Sequence, residues 1–405
     1  MEVEETKVLM VSWEYPPRIV GGLSRHVHHL SMELEKKGVE ITILTLGFPG
    51  VEEEVKRGKL MIIRENEEIA FPNPEFISYV YQFNLHMFRK LVEKRVDLRD
   101  YDIIHAHDWL VAPLAIELKH MLRKPLITTF HSTEYGRRRG IHTDFQRHIH
   151  ELEWYLAYES WKVIVCSWYM RNELLTTLSL PADKIYVIPN GVHPIDLSKP
   201  LDYWRVRRRY ALDWEKIVLF VGRMAYEKGV HVLLNAARIL LSRRWDVKFL
   251  IVGEGPMRSY LINMSRQYGI YNKVYFPGFV DDNELSEIYR ISDIAVFPSL
   301  YEPFGIVVLE AMSAKLPVIV SDVGGFSEIV QSGVNGIKVP PGDPVSLANA
   351  IDYFLNNREE ARRLGERGYR DVLEKYTWSK IAEKTLEVYE NTIREYERTG
   401  WKSMI

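Results

Sequence analysis

The chain carries a single cysteine, Cys166, in 405 residues. An internal disulfide is therefore excluded, and a reducing, cytoplasmic setting is expected. Long apolar runs are missing as well. Nothing approaches the ~20 consecutive apolar residues that a membrane-spanning helix needs. The first residues, Met1 to Lys7, are acidic and lack the apolar core of a secretory signal. Neither sign of charge is in excess. The 53 Lys and Arg against 55 Asp and Glu leave a formal charge of -2, which gives no case for bulk nucleic-acid binding. Glutamine is scarce beside Glu, Lys and Arg, a balance that fits a thermophile.

What is present is ordinary for a soluble globular protein, with 46% hydrophobic and 27% charged residues. The length exceeds what one core comfortably serves, so two domains are expected. Strand-like runs alternate with helical patterns from the start: a strand over 7–12, an amphipathic helix over 23–37, a strand over 39–45. Short buried strands come next over 102–105, 125–130, 162–166 and 184–188. The segment 194–214 breaks this rhythm with Pro194, Pro200 and a basic cluster. A second series then runs through strands over 216–222, 247–253, 274–277, 294–297 and 318–320. Such alternation predicts an α/β protein with parallel sheets covered on both faces. Two doubly wound domains are the simplest account, over 1–195 and 196–377, their C-terminal strand edges facing across a cleft. A long amphipathic helix is expected over 378–397.

The most informative stretch runs from Phe297 to Val320. An apolar strand ends in Pro298-Ser299, and a mostly apolar helix is expected over 304–314. Glu302 falls in the loop between them, where open α/β sheets bind ligands. Glu310 falls inside the helix, where a buried carboxylate is costly unless hydrogen-bonded. A sugar or ribose hydroxyl pair would satisfy it. A helix cap and a surface ion pair are the plainer readings of the two.

Other strand ends carry candidate chemistry. Gly21-Gly22 opens the first helix, where backbone N–H groups can approach an anion; an ordinary turn is the alternative. Arg223 and Lys228 flank a loop closed by Gly229 after Gly222, and two cations there could neutralise a diphosphate. His105-Ala106-His107-Asp108 has the look of metal ligands, but no third ligand at fitting spacing is evident. Asp108 could instead cap a helix. His131 comes just after another strand. Asn190-Gly191 is a turn signal first and a ligand contact second. Gly253-Glu254-Gly255 lacks the third glycine of a dinucleotide fingerprint, so no nicotinamide cofactor is expected. The basic clusters Arg137-Arg138-Arg139 and Arg205 with Arg207, Arg208 and Arg209 read as solvated faces. The first would also suit an anionic acceptor, and the second acidic lipid headgroups in a peripheral membrane contact.

Glu302-Pro303-Phe304-Gly305-Ile306-Val307-Val308-Leu309-Glu310 resembles the E-x7-E signature of retaining nucleotide-sugar glycosyltransferases. These group 1 (GT4/GT5-like) enzymes include bacterial and archaeal glycogen synthases. Trp13-Glu14-Tyr15-Pro16-Pro17 with Gly21-Gly22, and His105 to Trp109, are similar to glycogen synthases in particular. The resemblance covers nearly the whole chain and implies the GT-B fold, with the final helix, over 378–405, packing back on the first domain. It implies transfer of glucose from ADP- or UDP-glucose to an α-1,4-glucan, with a small acceptor such as a sugar phosphate, glycerate or lipid as the alternative. A catalytically silent sugar-nucleotide-binding protein is the alternative of another class. By resemblance His131, Arg223, Lys228 and Glu302 would be catalytic. Gly21, Gly22, Asp108, Asn190, Gly222, Gly253, Glu254, Tyr301, Phe304, Gly305 and Glu310 would bind the donor. No cofactor beyond the sugar nucleotide and no metal is implied, because Arg223, Lys228 and helix N-termini would supply the positive field.

Overall fold

The structure, a computed structural model, describes residues 6–66 and 75–401. All but two residues of the acidic Met1–Lys7 stretch, and the last four of the expected C-terminal segment, lie outside these. The chain divides into two compact units. One is Met1–Asn190 with Trp378–Ile405, the other Gly191–Thr377. No helix among the described residues is long and apolar enough to cross a membrane.

The first unit is built on β1 (Lys7–Ser12), β2 (Glu40–Leu46), β3 (Glu54–Arg57), β4 (Leu60–Glu65), β5 (Ile103–His107), β6 (Leu126–Phe130), β7 (Lys162–Val165) and β8 (Ile185–Val187). Their order in the sheet is β3-β4-β2-β1-β5-β6-β7-β8. All pairs are parallel except β3 with β4. Strands β5 and β6 are buried throughout, and β1 and β2 but for their first residue. Burial on both faces is why these read as unbroken apolar runs. β3, Glu-Val-Lys-Arg, stands exposed at the sheet edge, where charged side chains deter pairing with another chain. Hydropathy gives no signal for such a strand. β5 runs two residues beyond the expected 102–105, so His107 ends a strand rather than opening a helix.

The chain winds outward from β1 through β2, then crosses back to lay β5 on the other side of β1. The point between β1 and β5 is thus a switch point, outside whose C-terminal ends open α/β sheets bind ligands. The helix Trp378–Glu397 completes the same unit. Trp378, Ile381, Ala382, Thr385, Val388, Tyr389 and Thr392 are buried, spaced three and four apart as one stripe of a helix. Trp378, Ile381 and Tyr389 join the core with Val8, Met10, Val27 and Ile103.

The second unit has six strands, β9 (Lys216–Val221), β10 (Val247–Val252), β11 (Val274–Gly278), β12 (Ile294–Phe297), β13 (Val318–Ser321) and β14 (Ile337–Val339). All pair in parallel, in the order β11-β10-β9-β12-β13-β14. Here the switch point lies between β9 and β12. β14, three residues long, is too short to show a period in the sequence.

Candidate active site

In the second unit, three loops meet beyond the switch point. After β9 the chain passes Arg223 and makes a short turn over Tyr226–Lys228. Gly229 comes next at φ 68, and a Cβ there would sit 1.9 Å from the carbonyl oxygen of Pro298. That clearance lets the loop after β12 lie directly on the loop after β9. The Leu300 N–H donates to the Glu227 carbonyl at 2.7 Å. Lys228 Nζ donates to Glu302 Oε2 at 2.7 Å, and the Ser299 hydroxyl donates to the same oxygen at 3.2 Å. The loop after β13 joins through the Gly325 N–H, which donates to the Glu302 carbonyl at 2.9 Å.

Glu302 is therefore nearly buried, with Lys228 about a quarter exposed beside it. Arg223 is exposed, with no partner among the described residues. The loops offer one open cation, one paired cation and one oriented carboxylate. That set can neutralise a dianionic group and accept hydrogen bonds from hydroxyls.

Other candidates of this unit take structural places. Gly222 and Gly253 have φ of 154 and 127, and a Cβ on Gly253 would lie 2.2 Å from the Gly222 carbonyl oxygen. Glu254 is exposed and pairs with Arg258 at 3.4 Å. Tyr301 and Phe304 are buried, and Gly305 sits at φ 106 against the Phe326 ring. Glu310 is half-buried rather than buried. The bond it needs comes from within the protein, since the Tyr289 hydroxyl donates to its Oε2 at 2.9 Å.

In the first unit, the loop after β1 folds over the carboxylate of Glu14. Glu14 Oε2 accepts from the Val20 N–H at 2.5 Å and the Gly21 N–H at 3.1 Å. The Gly21 amide is thus already occupied, a correction to its reading as an open anion donor. Gly22 begins the helix Gly22–Lys36. Asp108 stands at φ 61 and caps nothing with its side chain. Its Oδ1 instead accepts the backbone N–H of His131 at 2.7 Å, tying the end of β5 to the end of β6. Burial pushes Glu14 up, and Asp108 up to about 6.

Histidines crowd this end of the sheet. His105 is saturated, with Tyr389 Oη at 2.6 Å and Thr129 Oγ1 at 2.8 Å. His107 Nδ1 lies 3.4 Å from His131 Nε2. His26, from the first helix, packs edge-on to His131 with ring centroids 4.5 Å apart. Asn190 Oδ1 is 2.7 Å from His26 Nδ1. Burial holds His26, His105 and His107 well below the ordinary imidazole value, and His131 at about 4.

In the unfolded chain these rings protonate near ~6.5. From there down to about 4 the unfolded state binds more protons than the native one, so stability falls as pH drops through that window. Asp108 opposes this in part, since below about 6 the native carboxyl holds the extra proton. The midpoint of thermal unfolding of the metal-free protein should fall between about pH 7 and about pH 5, and His131→Gln should flatten the slope by about one proton. A midpoint that rises on acidification would contradict a neutral cluster.

These positions can be set beside known proteins. Residues 202–371 match the family model described as glycosyl transferases group 1, and residues 20–195 that described as glycosyltransferase family 4. Over 95% of its length the chain is 39% identical to an uncharacterized glycosyltransferase of Methanocaldococcus jannaschii, covering 97% of that protein. It is 34% identical, again over 95%, to a glycogen synthase of Mycobacterium tuberculosis, covering 94% of it. The chain belongs to the group 1 glycosyltransferases. Sucrose-phosphate synthase from Thermosynechococcus elongatus superposes with a TM-score of 0.83 at 24% identity, over 96% of this chain and 100% of that one. Anabaena HepE in complex with UDP-glucose superposes at 0.74 and 19%, over 95% and 99%. The fold of this glycosyltransferase is GT-B, an α/β architecture.

Two residues of the glycosyltransferase escape assignment from sequence. Glu14 is visible there only as part of a Trp-Glu-Tyr-Pro-Pro motif. His26 lies on the buried face of an amphipathic helix, where a histidine reads as packing. It supplies the third imidazole that the His-x-His spacing lacked. The basic clusters are mostly spoken for. Arg137 pairs with Glu134 at 3.0 Å and lies 3.9 Å from Glu153, so its charge is met within the protein rather than left for an anionic acceptor. Arg207 is buried, and Arg205 and Arg208 pair with Asp202 and Asp213. Arg209 is exposed, so part of the cationic face read as suiting lipid headgroups remains.

Proposed function

We propose that this glycosyltransferase moves glucose from ADP- or UDP-glucose to an α-1,4-glucan chain with retention of anomeric configuration. The observation that carries the reading is the Arg223, Lys228 and Glu302 set at the switch point of the second unit. Arg223 and Lys228 hold the departing diphosphate. Glu302, kept in place by Ser299, accepts from the sugar hydroxyls, and Glu310 from the ribose. His131, whose backbone N–H Asp108 holds, serves the anomeric carbon, and Asp108 and Asn190 the donor. No metal step is needed, because the two cations bear the developing negative charge. The Gly21 amide can serve the diphosphate only if Glu14 first lets it go. A relative named glycogen synthase and a fold neighbour solved with UDP-glucose support the choice of donor and acceptor.

The test is an assay of the full chain with ADP-glucose or UDP-glucose against glycogen and against sugar phosphates, glycerate and lipids. Elongation of glycogen with an α-configured product by NMR is expected. Transfer only to a small acceptor would replace the glucan assignment. Calorimetry showing no affinity for any sugar nucleotide would end the proposal, and binding without turnover would leave a silent binding protein.

A further inference from the structure

The first unit contains a histidine arrangement that hexosyl transfer does not call for. One nitrogen from each of His26, His107 and His131 lies within 4.8 Å of the other two. The three come from different elements, the first helix, the end of β5 and the residue after β6. No acidic side chain belongs to the group, and His26 and His107 are nearly or fully buried, at 4% and 0% exposure.

Hydrogen bonding fixes what these rings can offer. Asn190 Oδ1 can only accept, so His26 carries its proton on Nδ1. Its Nε2 is then a bare lone pair, and that atom is buried without a hydrogen-bond partner. His107 Nε2 is likewise buried and unpartnered. A buried polar atom left unsatisfied is costly, and at His26 Nε2 a bound cation would remove that cost. His105, next door, has both nitrogens engaged and is not a candidate ligand.

The spacing suits a small cation. Four ligands at about 2.0–2.1 Å around tetrahedral zinc stand about 3.3 Å apart. His107 Nδ1 and His131 Nε2 are 3.4 Å apart in a hydrogen bond whose place the cation would take, His107 then carrying its proton on Nε2. All three nitrogens already lie within 4.8 Å of one another, and imidazoles can turn about their side-chain torsions. His131 is half-buried, which leaves a way in from solvent. Asn190 fixes the tautomer and orientation of His26, as outer partners of metal-bound imidazoles do.

We propose that His26, His107 and His131 form a binding site for a divalent cation of zinc type, with a fourth position left to water. Such a cation would tie up the His131 ring and so block transfer, a consequence that rests on the functional reading above. The site itself does not rest on that reading.

The chain has 13 histidines, so stoichiometry alone decides nothing. Co2+ is the probe, titrated into the full chain and read by the visible ligand-field bands of tetrahedral coordination. The unmodified protein should show those bands, and Zn2+ should displace them. His26→Gln and His107→Gln should each weaken binding at least as much as the ~10–100-fold that loss of an outer partner costs. Unchanged affinity in both variants would overturn the site. In case a buried variant fails to fold, crystals of the unmodified protein soaked in Zn2+ give a second reading. An anomalous peak about 2.0–2.1 Å from the three imidazoles is expected, and a peak only elsewhere, or none, overturns the proposal. Zn2+ binding with transfer undiminished supports the site and counts against His131 at the reacting sugar, so the two ideas fail separately.

Discussion

Lys228→Ala should slow sugar transfer by about 10²–10³, the cost of removing one preorganised charge from a developing negative centre. The measurement is kcat with whichever sugar nucleotide proves to be the donor. Lys228 also neutralises the nearly buried Glu302, so part of any loss could come from a disturbed loop. Arg223→Ala separates the two contributions. Arg223 is exposed and has no partner among the described residues to leave behind, so its removal should reduce transfer without shifting the thermal midpoint. If both variants turn over at the rate of the unmodified protein, the leaving-group assignment is lost.

The largest expected effect on stability lies away from this chemistry, at Arg207. The residue is 2% exposed. Nη1 donates to the carbonyl of Ile291 and, at 3.1 Å, to the Tyr203 hydroxyl. Nη2 donates to the Glu215 carbonyl at 2.6 Å and to Asp293 Oδ2 at 2.9 Å. The same Asp293 oxygen accepts the Ile217 N–H at the start of β9. Arg207→Ala leaves two buried carbonyls without their donor and the part-buried Asp293 without its cation, and a buried acceptor left unsatisfied costs about 1–3 kcal/mol. Arg205, exposed and paired only with Asp202, should cost less than about 1 kcal/mol on the same change. Denaturant unfolding monitored in the second unit would check the contrast. Equal effects at the two positions would show that the Arg207 network carries no stability.

Arg205 and Arg207 also show where sequence reading stops. Two residues apart in one basic run, they have the same composition around them. Only the fold decides that one turns inward onto Asp293, 86 positions away, and the other toward water. Most of the parallel strands, and the loops carrying Arg223, Lys228 and Glu302, are legible because buried parallel strands are short apolar runs, and each such run must end in a loop; β4 escapes that reading. β3 is not legible, since an edge strand made of charges carries no apolar signal. His26 is hidden for the opposite reason. Its neighbours Leu23, Val27 and Leu30 make a helical stripe, and a histidine in that stripe looks like filler until β5 and β6 bring two more beside it. Glu310 departs from expectation by a narrower margin, because its tyrosine partner comes from a helix 21 residues earlier.

The helix Trp378–Glu397 has a consequence for how the protein is made. Tyr389 bonds His105, and Trp378 packs edge-on against His26, so the core of the first unit includes residues translated after all of the second. During synthesis the ribosome releases Met1–Asn190 long before that helix exists. The nascent first unit must therefore wait, its histidine-lined sheet end uncovered, while the intervening 187 residues of Gly191–Thr377 emerge and collapse on their own.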